Sequence, residues 1–441
     1  MEGSNPVSLD QEHQPDELAT SLTRKLRNLS PLPSRCCIYR VPERLHHENA
    51  RAYTPKVVSI GPLHHGAKGL KAMEKHKMLY LESFLKRTKL SMEDYAEFMK
   101  QREQTVRDHY DEDFEQMESD QFVETILVDS AFVVEILWRN YSKEAAHEND
   151  RIFNKPWKIM DIRYDMMLLE NQLPFFLFEG IFDLAKLKVL RDNVSDGDCP
   201  SIEKYSLIKL TYEFFKFKAY LWDIEEIFSR INSSKIKHFV DFFRKCHVPR
   251  PLPTKGKIQT LTIPNVTELY EAGVKFEVKP TGGLFDIQFC EGTLVIPHLI
   301  IRKFTESFIL NLLAFEQCHK LECYINDYVF IIDRLIDTTR AVQLLVQSGV
   351  IESKLPDNQE VVTSIDKLVR GSFLRRKHFY FNDLCDGLNA YCSNHWNTWM
   401  TTLKQQYFSS PLTIFAISVA TAVFILTVIQ TVCSCGVPFK K

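Results

Sequence analysis

The sequence predicts a mainly α-helical protein with one small antiparallel β-hairpin insertion and a C-terminal transmembrane helix. Three observations predict it. Apolar residues recur at three- and four-residue spacing through most of the chain. Between Pro249 and Pro297 six prolines fall and the apolar period drops to two. From Gln405 to Phe439 there is not one charged side chain. With 441 residues, 45% of them hydrophobic and 25% charged, the chain is able to bury a sizeable core, and 31 Phe are available to fill it.

The elements follow in order. Residues 1–17 are polar, acidic and proline-bearing, which predicts disorder. Leu18, Leu22, Leu26 and Leu29 then stand beside Arg24, Lys25 and Arg27, the pattern of a basic amphipathic helix that packs onto the domain. Residues 70 to 138 read as helices, with Phe122, Ile126, Val133 and Leu137 on one face and Val123, Leu127 and Val134 beside them. Pro174 disfavours helix at Leu173 and suits the first turn of a new helix, so Glu170 to Leu173 form a junction between two apolar helices. Glu170, Asn171 and Gln172 are expected to satisfy backbone groups there. A further helix is expected from Ser206 to Phe228.

Next, Phe285-Asp-Ile-Gln-Phe289 alternates, Glu291-Gly292 offers a turn and Thr293 to Ile296 returns. This predicts a hairpin with Phe285, Ile287 and Phe289 on one buried face. Helices resume at Phe304, Phe308, Leu312, Phe315 and at Tyr324, Tyr328, Ile331, Leu335. Another runs from about Thr339 to Ser348, stopped by Gly349. The expected organisation is a disordered N-terminus and amphipathic helix over 1–34 and a globular domain over 35–378. A juxtamembrane helical segment (379–411), a span (412–432) and a short tail (433–441) follow.

Leu412 to Val432 is 21 residues long, roughly 30 Å as a helix, the thickness of a hydrocarbon core. Twelve of the 21 are Leu, Ile, Val or Phe, each favouring insertion by about 0.3 to 0.6 kcal/mol. Pro411 suits a helix start, and Trp396, Trp399, Tyr407 and Phe408 precede it as an interfacial belt would. The expectation is a single-pass protein of the plasma membrane or an endomembrane, with the membrane itself as one partner. The segment Met1 to Pro6 opens no signal peptide, and a lone anchor at the C-terminus leaves the domain in the cytosol. Lys440 and Lys441 beyond the span point the other way, as do the sequons at Asn28, Asn140, Asn193, Asn232 and Asn265. Cys433 and Cys435 follow the span closely and are candidates for acylation.

Composition argues against several chemistries. A formal net charge of −2 does not suit a nucleic-acid binder, and the densest basic run is only Arg375-Arg376-Lys377. The 11 Cys are odd in number and match no disulfide scaffold, so reduced, mostly buried thiols are expected. His46-His47, His64-His65 and His76, near Cys36-Cys37, are the best metal candidates. Adjacent histidines point apart on a helix or strand, so each pair offers one ligand at best, and they read as structural. Asp161 with Asp165, and Glu225 with Glu226, read as solvated helix faces rather than acid–base pairs. Ser59-Ile60-Gly61-Pro62 has one glycine and a proline lacking the N–H that a phosphate cradle needs. No catalytic residue, metal or cofactor is assigned from the residues.

Several ordered motifs are nevertheless distinctive. Cys37-Ile-Tyr-Arg-Val-Pro-Glu-Arg-Leu45 and Tyr53-Thr-Pro-Lys-Val-Val-Ser-Ile-Gly-Pro-Leu-His-His-Gly66 open the series. Met73-Glu-Lys-His-Lys77, Leu169-Glu-Asn-Gln-Leu-Pro174, Glu271-Ala-Gly-Val-Lys-Phe276 and Asn311-Leu-Leu-Ala-Phe-Glu-Gln-Cys318 follow. In that order they resemble a large plant family known as domain of unknown function two-four-seven, over roughly Arg35 to Val432. The resemblance implies no established enzymatic activity and offers no agreed catalytic residues to carry over. Some grass members are implicated in pollen self-recognition. The functional expectation is therefore a membrane-anchored recognition or signalling module that acts through protein partners. The alternative is an enzyme of unrecognised type, with a site near the His-rich or Glu-Asn-Gln-Leu-Pro segment. An exposed aromatic patch favours the first and a buried pocket with convergent polar side chains the second.

Overall fold

The computed structural model describes residues 17–28, 34–142, 150–193, 206–216, 231, 235–248, 262–279, 283–319, 322–373, 379–393 and 411–435. Helices α1 (Glu17–Asn28), α2 (Glu43–Asn49), α3 (Lys71–Thr88), α4 (Met92–Lys100), α5 (Glu103–Arg107) and α6 (Ser119–Ser142) lead to an axis at α6. From Phe122 to Leu137 every α6 residue except Glu124 is buried. The one apolar face expected there is instead a helix enclosed on all sides, because α3, α4 and α5 cover it together with α8 (Phe175–Asn193) and α9 (Leu207–Phe215). Between them α7 (Pro156–Asp165) ends five residues before Glu170, and α8 opens right after Pro174, so Glu170 to Leu173 lie between two helices as expected. Ser206 caps α9 through its hydroxyl; the remainder of the helix expected up to Phe228 lies outside the described residues.

Helix α10 (Phe239–His247) completes an aromatic cluster. Phe175, Phe178, Phe215, Phe239 and Phe243 meet at centroid distances of 4.9 to 6.1 Å, mostly edge to face. After α11 (Val266–Glu271) come β1 (Lys275–Lys279), β2 (Gln288–Cys290), β3 (Thr293–Pro297) and β4 (Leu299–Ile301). Strands β2 and β3 form the expected antiparallel hairpin. Its turn residues Glu291 and Gly292 have φ of 50° and 76°, the two positive values of a type I′ turn. Phe285 and Ile287 are buried and Phe289 is half-buried against Tyr391.

The hairpin is not a lone insertion. Strand β1 pairs parallel to β3, giving a three-stranded mixed sheet of order β1-β3-β2, and β4 pairs parallel with β5 (Ile351–Ser353). Helices α12 (Thr305–Cys318), α13 (Tyr324–Leu335), α14 (Thr339–Gln347) and α15 (Asn358–Arg370) pack around these sheets, followed by α16 (Asn382–Cys392). Gly349, at φ 76°, ends the α14 segment as anticipated.

Two expectations about the chain ends are corrected. Leu18, Leu22 and Leu26 of α1 are 64%, 49% and 67% exposed, so this helix does not bury its leucine stripe on the domain. The second correction is the span. Residues Leu412 to Val432 do fall in one helix, α17 (Pro411–Cys435). Among the described residues, however, no helix is long and apolar enough to cross a membrane. Between residues 418 and 431, α17 carries five hydroxyl or amide side chains. Ser418, Thr421, Thr427, Gln430 and Thr431 interrupt its apolar character, with Thr427 and Thr431 turning their hydroxyls onto backbone carbonyls. The single-pass span, the membrane as partner and the membrane localisation are withdrawn on this finding. The side chains of Cys433 and Cys435 lie outside the described residues.

Candidate functional site

The segment 53–66 crosses the domain largely without helix or strand, and its backbone polar groups are taken up by side chains. Asp165 accepts from the N–H of Lys56 (2.9 Å), Val57 (2.7 Å) and Val58 (2.9 Å). Asn171 accepts from Ile60 N–H at 2.7 Å and donates to the carbonyls of Val58 and Asp165. Asp129 accepts from Gly61 N–H at 2.8 Å and forms a fully buried ion pair with Lys77 at 2.6 Å. Burial works against charge on Lys77, but Asp129 and Glu74 outweigh it and hold the ammonium above the usual lysine range. Gly61 has φ 81°, and a Cβ there would lie 2.5 Å from the Gln172 carbonyl oxygen, so only glycine fits.

The junction itself is fastened in the same way. Gln172 donates its amide to the carbonyls of Met166, Leu168 and Asn171 and accepts from Phe239 N–H at 2.9 Å. Glu170 accepts from Val41 N–H at 2.8 Å and faces Arg40 and His64. Burial pushes its carboxyl up, but His64, the Val41 N–H and Arg40 together hold it below the usual range. Asn311 accepts from Leu169 N–H and donates to Ala52 O, while Glu316 accepts from Arg244 and from Ile325 N–H. The structural role expected for Glu170, Asn171 and Gln172 is what the geometry gives. The solvated role expected for Asp165 is corrected: it is 2% exposed, and burial pushes its carboxyl up to about 6 against its three N–H donors. Glu225 and Glu226 lie outside the described residues.

The remaining candidates are placed apart. His64 belongs to the Glu170 cluster, His46 stacks on Tyr53, and His76 lies near Lys158 and Arg151. Among the described residues no group of three or more His, Cys, Asp or Glu is arranged to hold a metal ion. The described cysteines are free thiols, five of them buried, and burial pushes Cys37 up to about 12, far from a reactive thiolate. A histidine outside the expected group is a fastener as well. Fully buried His238 offers Nε2 to Cys37 O at 3.0 Å, while Nδ1 accepts from Asp241 N–H at the start of α10. Only the neutral Nε2–H tautomer serves both bonds.

Two surface features are not used up in this way. The first is a cleft of about 410 Å³. Arg51, Thr54 and Lys56 line it together with Asp161, Tyr164 and Asp165 of α7 and with Arg302, Lys303, Phe304 and Lys354. Tyr164 and Phe304 stack at 4.7 Å, and Met167, Leu168 and Phe308 complete an apolar floor. Among the described residues no carboxylate lies within ion-pair distance of Arg51, Lys56 or Lys303. The second is Trp157 at the start of α7, 60% exposed between Lys155 and Lys158. Partial burial, together with Lys155 and Arg151, holds Lys158 below the usual lysine range, which marks a crowded cationic surface. His76 shares it, one helical turn from exposed Leu79. Sequence reading missed both features, because their residues come from distant segments and none sits in a recognisable spacing.

Fold and site together define a mainly helical domain held by buried polar fasteners, with a basic cleft and an exposed aromatic surface beside them. The chain belongs to the plant family DUF247, plant protein of unknown function, which matches residues 38–426. It is similar to the UPF0481 protein At3g47200 of Arabidopsis thaliana, 26% identical over 426 residues, covering 90% of this chain and 85% of that protein. It is also similar to the putative UPF0481 protein At3g02645 of the same plant, 22% identical over 477 residues and 89% of each chain. No solved structure matches. The family motifs supply Gly61, Lys77, Glu170, Asn171, Gln172, Asn311 and Glu316, the same residues that fasten the interior.

Proposed function

We propose that this chain is a recognition module that acts by binding a protein partner, with Trp157 and the cations around it as the contact surface. The observation that carries this reading is Trp157, 60% exposed beside Arg151, Lys155 and Lys158. An exposed indole is costly in water, and Trp and Arg are enriched among the residues that dominate interface energies. Like charges crowded around it favour a partner surface of opposite sign, whose approach relieves their repulsion. Asn171 and Gln172 of the Glu-Asn-Gln-Leu-Pro motif are committed to backbone groups, which favours a structural over a catalytic role for that segment.

The full tagged chain and two variants, Trp157→Ala and the pair Lys155→Glu/Lys158→Glu, test this in plant extract. All three positions are wholly or partly exposed, so melting temperatures should agree within a few degrees. A protein captured by the native chain should be lost from both variants, and its affinity should fall by about 2 kcal/mol or more for Trp157→Ala. Identical capture by all three would remove this surface as the docking site.

A further inference from the structure

We infer that the cleft between the opening segment, α7 and the Arg302–Phe304 corner binds a small anion that carries a planar ring, a phosphate or carboxylate joined to an aromatic body. This site is separate from the Trp157 surface and does not rest on it. Arg51, Lys56 and Lys303 bring three positive charges to one opening with no carboxylate in ion-pair distance among the described residues, and Arg302 adds a fourth. Two carboxylates, Asp161 and Asp165, also line the cleft, but the cations outnumber them, and a bound anion offsets the excess of positive charge.

The other wall selects against a bare ion. The stacked Tyr164 and Phe304 rings and the apolar floor would stay wet beneath inorganic phosphate, but present a face on which a planar group stacks. The volume, about 410 Å³, lies in the range of small-molecule sites and is too small for a folded partner. Asp161 and Asp165 in the lining disfavour a second negative charge on the ligand, so one anionic end and one ring is the combination that fits. The floor is also rigid. Lys56 is pinned through its N–H by Asp165, and Ser307 donates to Ala52 O at 2.6 Å, so the cationic and aromatic walls are held at fixed separation.

Calorimetric titration of the full chain at physiological salt with phenyl phosphate, inorganic phosphate and phenol tests the inference. Phenyl phosphate should saturate one site and bind about tenfold or more tightly than either fragment. Lys56→Glu/Lys303→Glu alters two exposed side chains and should abolish binding while leaving the melting temperature in place. Phe304→Leu should lower the affinity for phenyl phosphate towards that for inorganic phosphate. Inorganic phosphate binding as tightly as phenyl phosphate would overturn the ring, and unchanged binding in the double-charge variant would overturn the site. An acidic peptide that displaces phenyl phosphate at equal or lower concentration would also overturn it, and would make the cleft a peptide groove.

Discussion

Asp129→Ala should destabilise the protein by about 3–5 kcal/mol, the range for breaking a buried ion pair from one side. The carboxylate has two tasks. It neutralises Lys77, whose ammonium is 2.6 Å away and completely buried, and it accepts the Gly61 N–H at 2.8 Å. Removing it leaves Lys77 with Glu74, itself about one-third exposed, and with Ser59. Urea denaturation of the native and variant chains measures the loss. The double variant Lys77→Met/Asp129→Asn should recover much of it, because the unpaired charge is gone while an amide oxygen still accepts from Gly61. A single-variant loss below about 1 kcal/mol would show that water reaches Lys77.

Gln172→Leu should cost a similar amount, about 3–5 kcal/mol, through stranded backbone groups rather than charge. The amide serves the carbonyls of Met166, Leu168 and Asn171 and the N–H of Phe239, so it ties the α7–α8 junction to the start of α10. Leucine fills the volume and satisfies none of them. Gln172→Glu should be worse at neutral pH, because it points carboxylate oxygen at carbonyl oxygens. Its deficit should shrink as pH falls and the acid gains a proton to donate. Equal destabilisation by Glu at pH 5 and pH 8 would mean that residue 172 does not face those carbonyls.

The sequence made local features legible and hid those assembled at long range. The hairpin turn at Glu291-Gly292 and the stop at Gly349 are dictated by positive φ, which neighbouring residues reveal. The junction role of Glu170, Asn171 and Gln172 followed from Pro174 and the need to pair backbone groups. Strand β1 was missed although Lys275-Phe-Glu-Val-Lys279 alternates, because the run is only five residues long and its partner β3 lies across a parallel connection that no local turn announces. Asp165 and Asp129 look like ordinary helix carboxylates until the 53–66 segment is laid over them. The cleft joins Arg51 to Arg302, some 250 residues apart. The terminal apolar run was easily seen, yet its uncharged length alone was a poor guide to what the described helix presents.

Amide hydrogen exchange in segment 53–66 bears most directly on the claim that the recognisable motifs are fasteners of the fold. Val57, Val58, Ile60 and Gly61 belong to neither helix nor strand, yet each N–H is held by a buried carboxylate or amide. If the lock is real, these four amides exchange only when the whole domain unfolds, at rates matching the buried centre of α6. Exchange at the rate of an exposed loop, while α6 stays protected, would contradict the account.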